Sequence, residues 1–195
     1  MKKNERQLRK ERTRLELIQA AGELFGEKGI DATTTEDVAR RASVAHGTVF
    51  AHFPTQEALL LAVVEDFSLR LARRLHKLVG SSADTAQALH AHLKGLQESE
   101  GLYSRLVAER QILPRQARTA VVMMQSSISV HICEIAERDM AAGKIRRMPP
   151  ALLFNSWISL LHYYLSNRDL FAPKGSVLEQ RGHELYLHWL SLIRT

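Results

Sequence analysis

The segment from Thr34 to Leu59, TTEDVARRASVAHGTVFAHFPTQEAL, constrains the fold more than any other part of this sequence. Asp37 follows Thr34 by three residues, a spacing that resembles a capping box and predicts the start of a short helix. A turn is predicted from Ser43 to Ala45, and a second short helix is expected near His46 to Phe53. Two short helices joined by a tight turn form the geometry that inserts a helix into the DNA major groove.

The second short helix is too short to be stable alone and must pack against its neighbours. We expect its apolar residues Val49 and Phe53 to be buried. Their partner is a helix predicted from Gln7 to Lys28 and ended by Gly29, with an apolar face made of Leu17, Ile18, Ala21, Leu24 and Phe25. Three small helices therefore share one core.

Helical periodicity continues through the rest of the chain, and no segment shows the alternation of a convincing β-strand. The predicted fold class is all-α, with an N-terminal three-helix helix-turn-helix domain and a larger C-terminal helical domain. The further helices are predicted at Thr55 to Leu78, ended by Gly80-Ser81-Ser82, at Thr85 to Ser99, at Leu102 to Ile112, after Pro114, after Pro149-Pro150, and at Val177 to Ile193.

Positive charge is concentrated at the N-terminus. The formal net charge is +6, and the first 14 residues contain two acidic residues and seven basic ones, namely Lys2, Lys3, Arg6, Arg9, Lys10, Arg12 and Arg14. A basic arm beside a helix-turn-helix indicates a polyanionic partner. A solvated, frayed terminus has the same composition, and this alternative stays open.

Cysteine usage and hydropathy indicate the compartment. The single cysteine, Cys133, suits a reducing environment. No apolar segment follows the N-terminal charges, as it would in a signal peptide. The longest nearly continuous apolar stretch, Trp157 to Leu165, is shorter than the ~20 residues of a membrane-spanning helix. We expect a soluble, cytoplasmic protein with no membrane partner.

The run Val44-Ala45-His46-Gly47-Thr48-Val49-Phe50-Ala51-His52-Phe53-Pro54, with Thr55-Gln56-Glu57-Ala58-Leu59 after it, resembles the recognition segment of the TetR family of bacterial transcriptional regulators. The resemblance implies a homodimer that binds a palindromic double-stranded operator and represses transcription until a small-molecule effector weakens the complex. It assigns DNA binding to residues 1–54 and effector binding and dimerisation to residues 55–195.

The resemblance also places particular residues against DNA, and burial of Val49 and Phe53 leaves most of them facing outward. They are Thr35, Ala45, His46, Gly47, Thr48, Phe50, Ala51, His52 and Gln56. The charge pattern, and not the resemblance, adds the basic arm Lys2, Lys3, Arg6, Arg9 and Lys10. Phe50 replaces the usual tyrosine and Gln56 the usual lysine, so two phosphate-binding groups are absent. We hypothesise that the arm compensates by tracking the DNA backbone or entering the minor groove.

Among the outward side chains, those of His46 and His52 can both form hydrogen bonds and carry a positive charge. A histidine can donate a hydrogen bond to guanine or phosphate, and its charged form binds better, which predicts stronger DNA binding at mildly acidic pH. A neutral surface residue or a partial core filler is the alternative for each. Ala45 and Ala51 offer at most a methyl contact to thymine.

The last two predicted helices are apolar around most of their circumference, which indicates burial on more than one side. We infer a twofold dimer through Trp157, Leu161, Tyr164, Tyr186, Trp189, Leu190 and Ile193. A central helix inside one chain is the alternative.

The resemblance implies an effector pocket, with candidate lining residues His90, Leu93, Tyr103, Met123, Met124, Gln125, Phe154, Trp157 and His162. Their composition favours an apolar or aromatic effector, and ordinary core packing explains them equally well.

Catalytic and metal sites have little support. His183 and His188 resemble a zinc-protease pair, but they are five residues apart and diverge by about 140° on a helix. We therefore expect no enzyme activity, no cofactor and no metal. Two other functions stay open: an effector-independent DNA-binding protein that acts through protein partners, and a helical small-molecule-binding protein or enzyme.

Overall fold

The computed structural model describes residues 2–78 and 83–194, and within these ranges it contains ten α-helices and no β-strand. The all-α prediction is confirmed, whereas the predicted break at Gly80-Ser81-Ser82 lies outside the described residues. The helices are α1 Lys2–Lys28, α2 Thr35–Arg41, α3 His46–His52, α4 Gln56–Leu78, α5 Thr85–Gln97, α6 Glu100–Ala108, α7 Arg115–Ala141, α8 Pro150–Ser166, α9 Arg168–Phe171 and α10 Val177–Ile193.

The helix starts and stops follow local chemistry. The predicted capping box is present, since Thr34 Oγ1 accepts a hydrogen bond from the Asp37 amide at 3.1 Å and the Asp37 carboxylate accepts one from the Thr34 amide at 3.3 Å. Gly29 follows α1 with φ +100, a left-handed conformation that glycine adopts without strain. The predicted turn between α2 and α3 is present, and Ser43 in it takes the same left-handed region with φ 56, a conformation that the sequence did not predict.

One hydrophobic core runs from Leu17 in α1 to Ile193 in α10. Helix α1 packs against α2, α4 and α6, so the helix-turn-helix rests directly on the larger helical part. Helix α7 packs against α4, α5 and α8 through its buried stripe Val121, Met124, Ile128, Ile132 and Ile135. By length and hydropathy alone α7 is also able to cross a membrane, a property that the sequence analysis missed.

The helices differ from the predictions most clearly in α1, α6 and α9. Helix α1 begins at Lys2, not Gln7, because the basic residues before Gln7 favour a helix and no glycine or proline interrupts them. Helix α6 ends at Ala108, since Glu109 leaves the helix and accepts a hydrogen bond from the Ile30 amide at 2.9 Å. Helix α9 was not predicted, because a helix of four residues shows no periodicity.

The predicted dimer interface needs correction. Trp157, Leu161, Trp189, Leu190 and Ile193 are buried inside the chain itself, and the Trp157 and Trp189 rings meet edge to face at a centroid distance of 5.9 Å. Tyr164 stacks on Phe171, and the Tyr186 hydroxyl donates to the Ala86 carbonyl at 3.1 Å. The five buried side chains are therefore covered by their own chain, whereas Tyr164 and Tyr186 are half-buried and keep part of their surface exposed. The exposed apolar residues on the same two helices are Leu152, Tyr163, Leu187 and Leu192.

Candidate nucleic-acid interface

Helix α3 presents one side to solvent and anchors itself by the other. Val49 and Phe53 are buried, as predicted. Ala45, His46, Gly47, Phe50 and Ala51 are exposed, while Thr48 and His52 are half-buried. A Cβ atom added to Gly47 would meet no atom within 4 Å, so this position faces open space. The exposed side of α3 is therefore free to enter a groove.

Helix α2 is tied to α1 by charged pairs. Arg41 contacts Glu23 at 3.2 Å and Glu27 at 2.6 Å, both on α1. Lys28, at the end of α1, contacts Asp37 of α2 at 3.1 Å. The Lys28 ammonium, with the Thr34 amide, holds the pKa of Asp37 below its usual range. These pairs fix the position of α2, against which α3 packs.

A side-chain hydrogen bond joins the first residues of α2 and α3. Thr35 Oγ1 lies 2.9 Å from Nε2 of His46. The His46 ring also meets the Phe50 ring edge to face, with centroids 4.9 Å apart. The sequence analysis placed Thr35 and His46 separately on the DNA-facing side and did not predict that they contact each other.

Gln56 is engaged inside the chain. Its amide nitrogen donates to the Thr33 carbonyl at 2.7 Å, which ties the start of α4 to the loop before α2. Phe50 is 45% exposed and its ring carries no hydroxyl. Neither position therefore supplies the phosphate-binding charge or hydroxyl that the family resemblance would lead one to expect.

The basic N-terminal segment is helical and does not form an extended arm. Residues 2–6 continue α1 as a helix, and Arg6, Arg9 and Lys10 are exposed on it. Further along α1, the Arg14 guanidinium lies 5.1 Å from the centroid of the Phe53 ring, directly after α3. Partial burial, followed by the charges of Lys10 and Arg14, lowers the pKa of His52. The positive charge of α1 is thus adjacent to the C-terminal end of α3.

Some of the predicted pocket residues do come together in the larger helical part. The Tyr103 hydroxyl lies 2.7 Å from Nε2 of His162, and the Gln125 amide nitrogen donates to the Tyr103 hydroxyl at 3.3 Å. Burial lowers the pKa of His162 to about 4 and raises the pKa of Tyr103. This group of three polar side chains, Tyr103, Gln125 and His162, is called the polar triplet below.

A second polar contact lies nearby and was missed. Trp157 Nε1 donates to Nδ1 of the fully buried His92 at 3.1 Å, and the Phe154 ring is 6.0 Å from the His92 ring. Burial lowers the pKa of His92 to about 3. The sequence carried a signal for this burial, because His92 follows Leu89 by three residues and precedes Leu96 by four.

Two predicted pocket residues lie elsewhere. His90 is exposed and packs against the Tyr186 ring, with centroids 5.4 Å apart, and Met123 is 67% exposed. Both sit on the outer faces of their helices, so neither joins the polar triplet. Leu93, Met124, Phe154 and Trp157 are buried core residues. A cavity of about 780 Å³ lies in another place, between α1, α4 and the turn from α5 to α6.

The first helices match a known protein family. Residues 17–63, which span α2, α3 and their packing partners, match the family described as bacterial regulatory proteins, tetR family. The likeness to the TetR family therefore covers this N-terminal segment. Among its relatives, the HTH-type transcriptional repressor Rv3405c of Mycobacterium tuberculosis is 45% identical over 60 residues, which are 31% of this chain and 32% of that protein. The match thus covers about a third of the relative's length.

Solved structures extend the likeness to the whole fold. A TetR-family transcriptional regulator from Agrobacterium tumefaciens superposes with a TM-score of 0.80 at 15% identity, covering 95% of this chain and 100% of that chain. AibR, solved in complex with isovaleryl coenzyme A and operator DNA, superposes with a TM-score of 0.72 at 15% identity, covering 93% and 98%. The C-terminal helices therefore share the fold of these two structures.

Proposed function

We propose that this protein is a cytoplasmic transcriptional repressor of the TetR type, which binds a palindromic operator as a homodimer and is released by a small-molecule effector. The observation that carries the proposal is the exposed side of α3, which projects His46, Gly47 and Ala51 outward while Val49 and Phe53 hold the helix in place. In this proposal residues 1–54 bind DNA, residues 55–195 bind the effector and dimerise, and no residue is catalytic.

Phosphate contacts come from the helical extension of α1. Since Phe50 and Gln56 supply no hydroxyl and no charge, exposed cations such as Arg6 and Lys10 take over this role. A continuous helix cannot thread along the minor groove as an extended arm does. We therefore assign the extension to the phosphate backbone beside the site that α3 reads.

Replacing two cations of the N-terminal extension of α1 by neutral residues tests this assignment. We expect the double variant Arg6→Gln/Lys10→Gln to lower the slope of log affinity against log salt by about two units, because each cation that neutralises a phosphate contributes about one unit. Arg146→Gln/Arg147→Gln, which removes two exposed cations between α7 and α8, is the matched control. An unchanged slope in the first variant would show that the extension does not touch DNA.

The dimer forms through the outer surfaces of α8 and α10. Leu152 and Tyr163 on α8 and Leu187 and Leu192 on α10 are each at least half exposed. Large apolar side chains exposed on two neighbouring helices are typical of a surface that a partner covers. Leu187 and Leu192 are five residues apart and diverge by about 140°, so we assign Leu187 to this surface and leave Leu192 outside it. Leu152, Tyr163 and Leu187 replace the buried residues that the sequence predicted.

The effector binds among α5, α6, α7 and α8, where the polar triplet and the pair of His92 and Trp157 lie. A polar group in an otherwise apolar core favours a ligand that is largely apolar or aromatic and makes few hydrogen bonds. The complex of AibR with isovaleryl coenzyme A shows that a fold of this kind accommodates an acyl compound. Thermal-shift screening of apolar and aromatic compounds should identify ligands, since binding to the folded state raises the melting temperature.

Selection of bound duplexes from a random DNA pool tests the function as a whole. We expect enrichment of one palindrome whose half-sites are about one helical turn, or a multiple of it, apart. His46→Ala should change the enriched half-site, whereas His90→Ala, a histidine outside the first four helices, should not. Failure to enrich any sequence would refute the proposal.

A further inference from the structure

Thr35 and His46 form a pair whose members belong to different helices. Thr35 is the first residue of α2, His46 is the first residue of α3, and Oγ1 of Thr35 lies 2.9 Å from Nε2 of His46. This distance is that of a direct hydrogen bond. Thr35 is half-buried and His46 is exposed, so the pair stands at the edge of the surface that faces DNA.

The His46 ring is held on two sides. Phe50, one helical turn further along α3, contacts the ring edge to face at a centroid distance of 4.9 Å. The Thr35 hydroxyl fixes one ring nitrogen, and the Phe50 ring limits rotation of the imidazole plane. An exposed histidine without such neighbours would lose side-chain entropy on binding, whereas much of that cost has already been met here.

The hydrogen bond allows two positions of the ring proton, because the Thr35 hydroxyl can donate to Nε2 or accept from it. A neutral imidazole has one nitrogen that donates and one that accepts, and the partner of one nitrogen decides the role of the other. Among the described residues, Nε2 of His46 is the only hydrogen-bond partner of the Thr35 side chain. When the hydroxyl donates its proton to Nε2, the proton of the ring lies on Nδ1. His46 then offers a donor to the groove.

We propose that Thr35 is a positioning residue, which acts through His46 and makes it a hydrogen-bond donor that selects guanine at one position of each half-site. Guanine presents two adjacent acceptors, N7 and O6, in the major groove, whereas adenine and thymine each present one acceptor beside a donor or a methyl group and cytosine presents a donor. The inference rests on the proposed operator binding and adds the base class that His46 reads. It also gives Thr35 a role different from the direct phosphate contact implied by the family resemblance.

A double-mutant cycle separates the two roles of Thr35. Thr35→Val keeps the shape of the side chain and removes the hydroxyl, and Thr35→Ser restores the hydroxyl. The helix start is kept in both variants, because its capping box belongs to Thr34 and Asp37. We expect Thr35→Val and His46→Ala each to weaken the preference for guanine at the same position, by about five- to tenfold for one base contact. Thr35→Ser should retain the preference.

The effect of Thr35→Val in a protein that already carries His46→Ala distinguishes the two roles of Thr35. If Thr35 acts through His46, Thr35→Val has no further effect on affinity in that background. If Thr35 contacts a phosphate directly, Thr35→Val lowers affinity equally for all sequences and does so with or without His46, which would overturn the inference. Retained guanine preference in either single variant would overturn it too. Circular dichroism verifies that each variant is folded.

The proposed function and this inference fail in different ways. A wild-type protein that enriches no DNA sequence contradicts the function itself. A wild-type protein that enriches a palindrome, combined with additive effects of Thr35→Val and His46→Ala, contradicts only the pairing of these two residues.

Discussion

Gly47 lies in the first turn of α3 on its exposed side, where a Cβ atom would meet no atom of the folded chain within 4 Å. Gly47→Ala should therefore leave the fold intact and raise its stability by about 0.5–1 kcal/mol, since alanine favours a helix over glycine. If DNA approaches the backbone here, the same methyl group lowers operator affinity. Thermal unfolding and a binding titration on one variant measure both effects. Unchanged affinity would mean that DNA does not come close to Gly47.

Two buried histidines make stability depend on pH. In the unfolded chain His92 and His162 take up protons as the pH falls through about 6.5. In the folded chain burial lowers the pKa of His92 to about 3 and that of His162 to about 4, and the Nδ1 atom of His92 accepts a hydrogen bond from Trp157. Their stabilising contribution is therefore complete above pH 6.5 and is lost as the pH falls towards these values.

The expected slope is about 1.4 kcal/mol of unfolding free energy per pH unit for each histidine, between about pH 6 and pH 4.5. His162→Gln should remove one histidine's share of this slope, measured by urea unfolding at several pH values. Ser159→Ala, an exposed position on the same helix, is the control. A slope unaffected by His162→Gln would contradict the assignment of a neutral His162 in the folded state.

At the scale of elements, α1 and α6 approach each other through glycines. A Cβ atom added to Gly26 would lie 2.9 Å from the Leu102 amide nitrogen and 3.0 Å from the Gly101 carbonyl carbon, both backbone atoms that cannot move aside easily. At Gly22, on the same helix, the nearest atom is a side-chain methyl of Val63 at 3.5 Å. The two glycines thus differ in what a methyl group would meet.

We expect Gly26→Ala to force α1 and α6 apart and to cost about 1–3 kcal/mol of unfolding free energy, as overpacking commonly does. Gly22→Ala is the matched control and should be neutral or stabilising, because alanine is the better helix former. Equilibrium unfolding in urea compares them. Equal stability of the two variants would show that the backbones of α1 and α6 are not in tight contact.

Local chemistry explains which elements the sequence could predict. The capping box at Thr34, the glycine after α1 and the apolar period of α7 are all short-range signals, and the helices they predict are present. The exposed side of α3 followed from burying Val49 and Phe53. The contact between Thr35 and His46 could not be predicted in this way, because it depends on how two separate helices pack.

At the scale of the whole molecule, the apolar pattern of α8 and α10 predicted burial but not the chain that covers them. An apolar circumference indicates that a helix is covered, but it does not say by which chain. Trp157 and Trp189 cover each other inside the chain, whereas Leu187 and Leu192 remain exposed. Only the three-dimensional structure separates the two groups.

The exposed apolar side chains of α8 and α10 predict where the homodimer interface lies. Leu187→Glu places a charge on the proposed twofold surface and should convert the dimer into a monomer, as measured by sedimentation velocity. Operator affinity should fall with it, because a monomer reaches one half-site only. Ile112→Glu alters an equally large exposed side chain between α6 and α7 and serves as the control. A Leu187→Glu variant that still sediments as a dimer would place the interface elsewhere.

The central claim is that the exposed side of α3 reads a palindrome in the major groove, and methylation interference on the enriched duplex tests it most directly. Guanine N7 lies in the major groove and adenine N3 in the minor groove. We predict that N7 methylation of guanines in two symmetric half-sites blocks binding and that N3 methylation of adenines inside those half-sites does not. Binding that tolerates N7 methylation throughout would contradict the account.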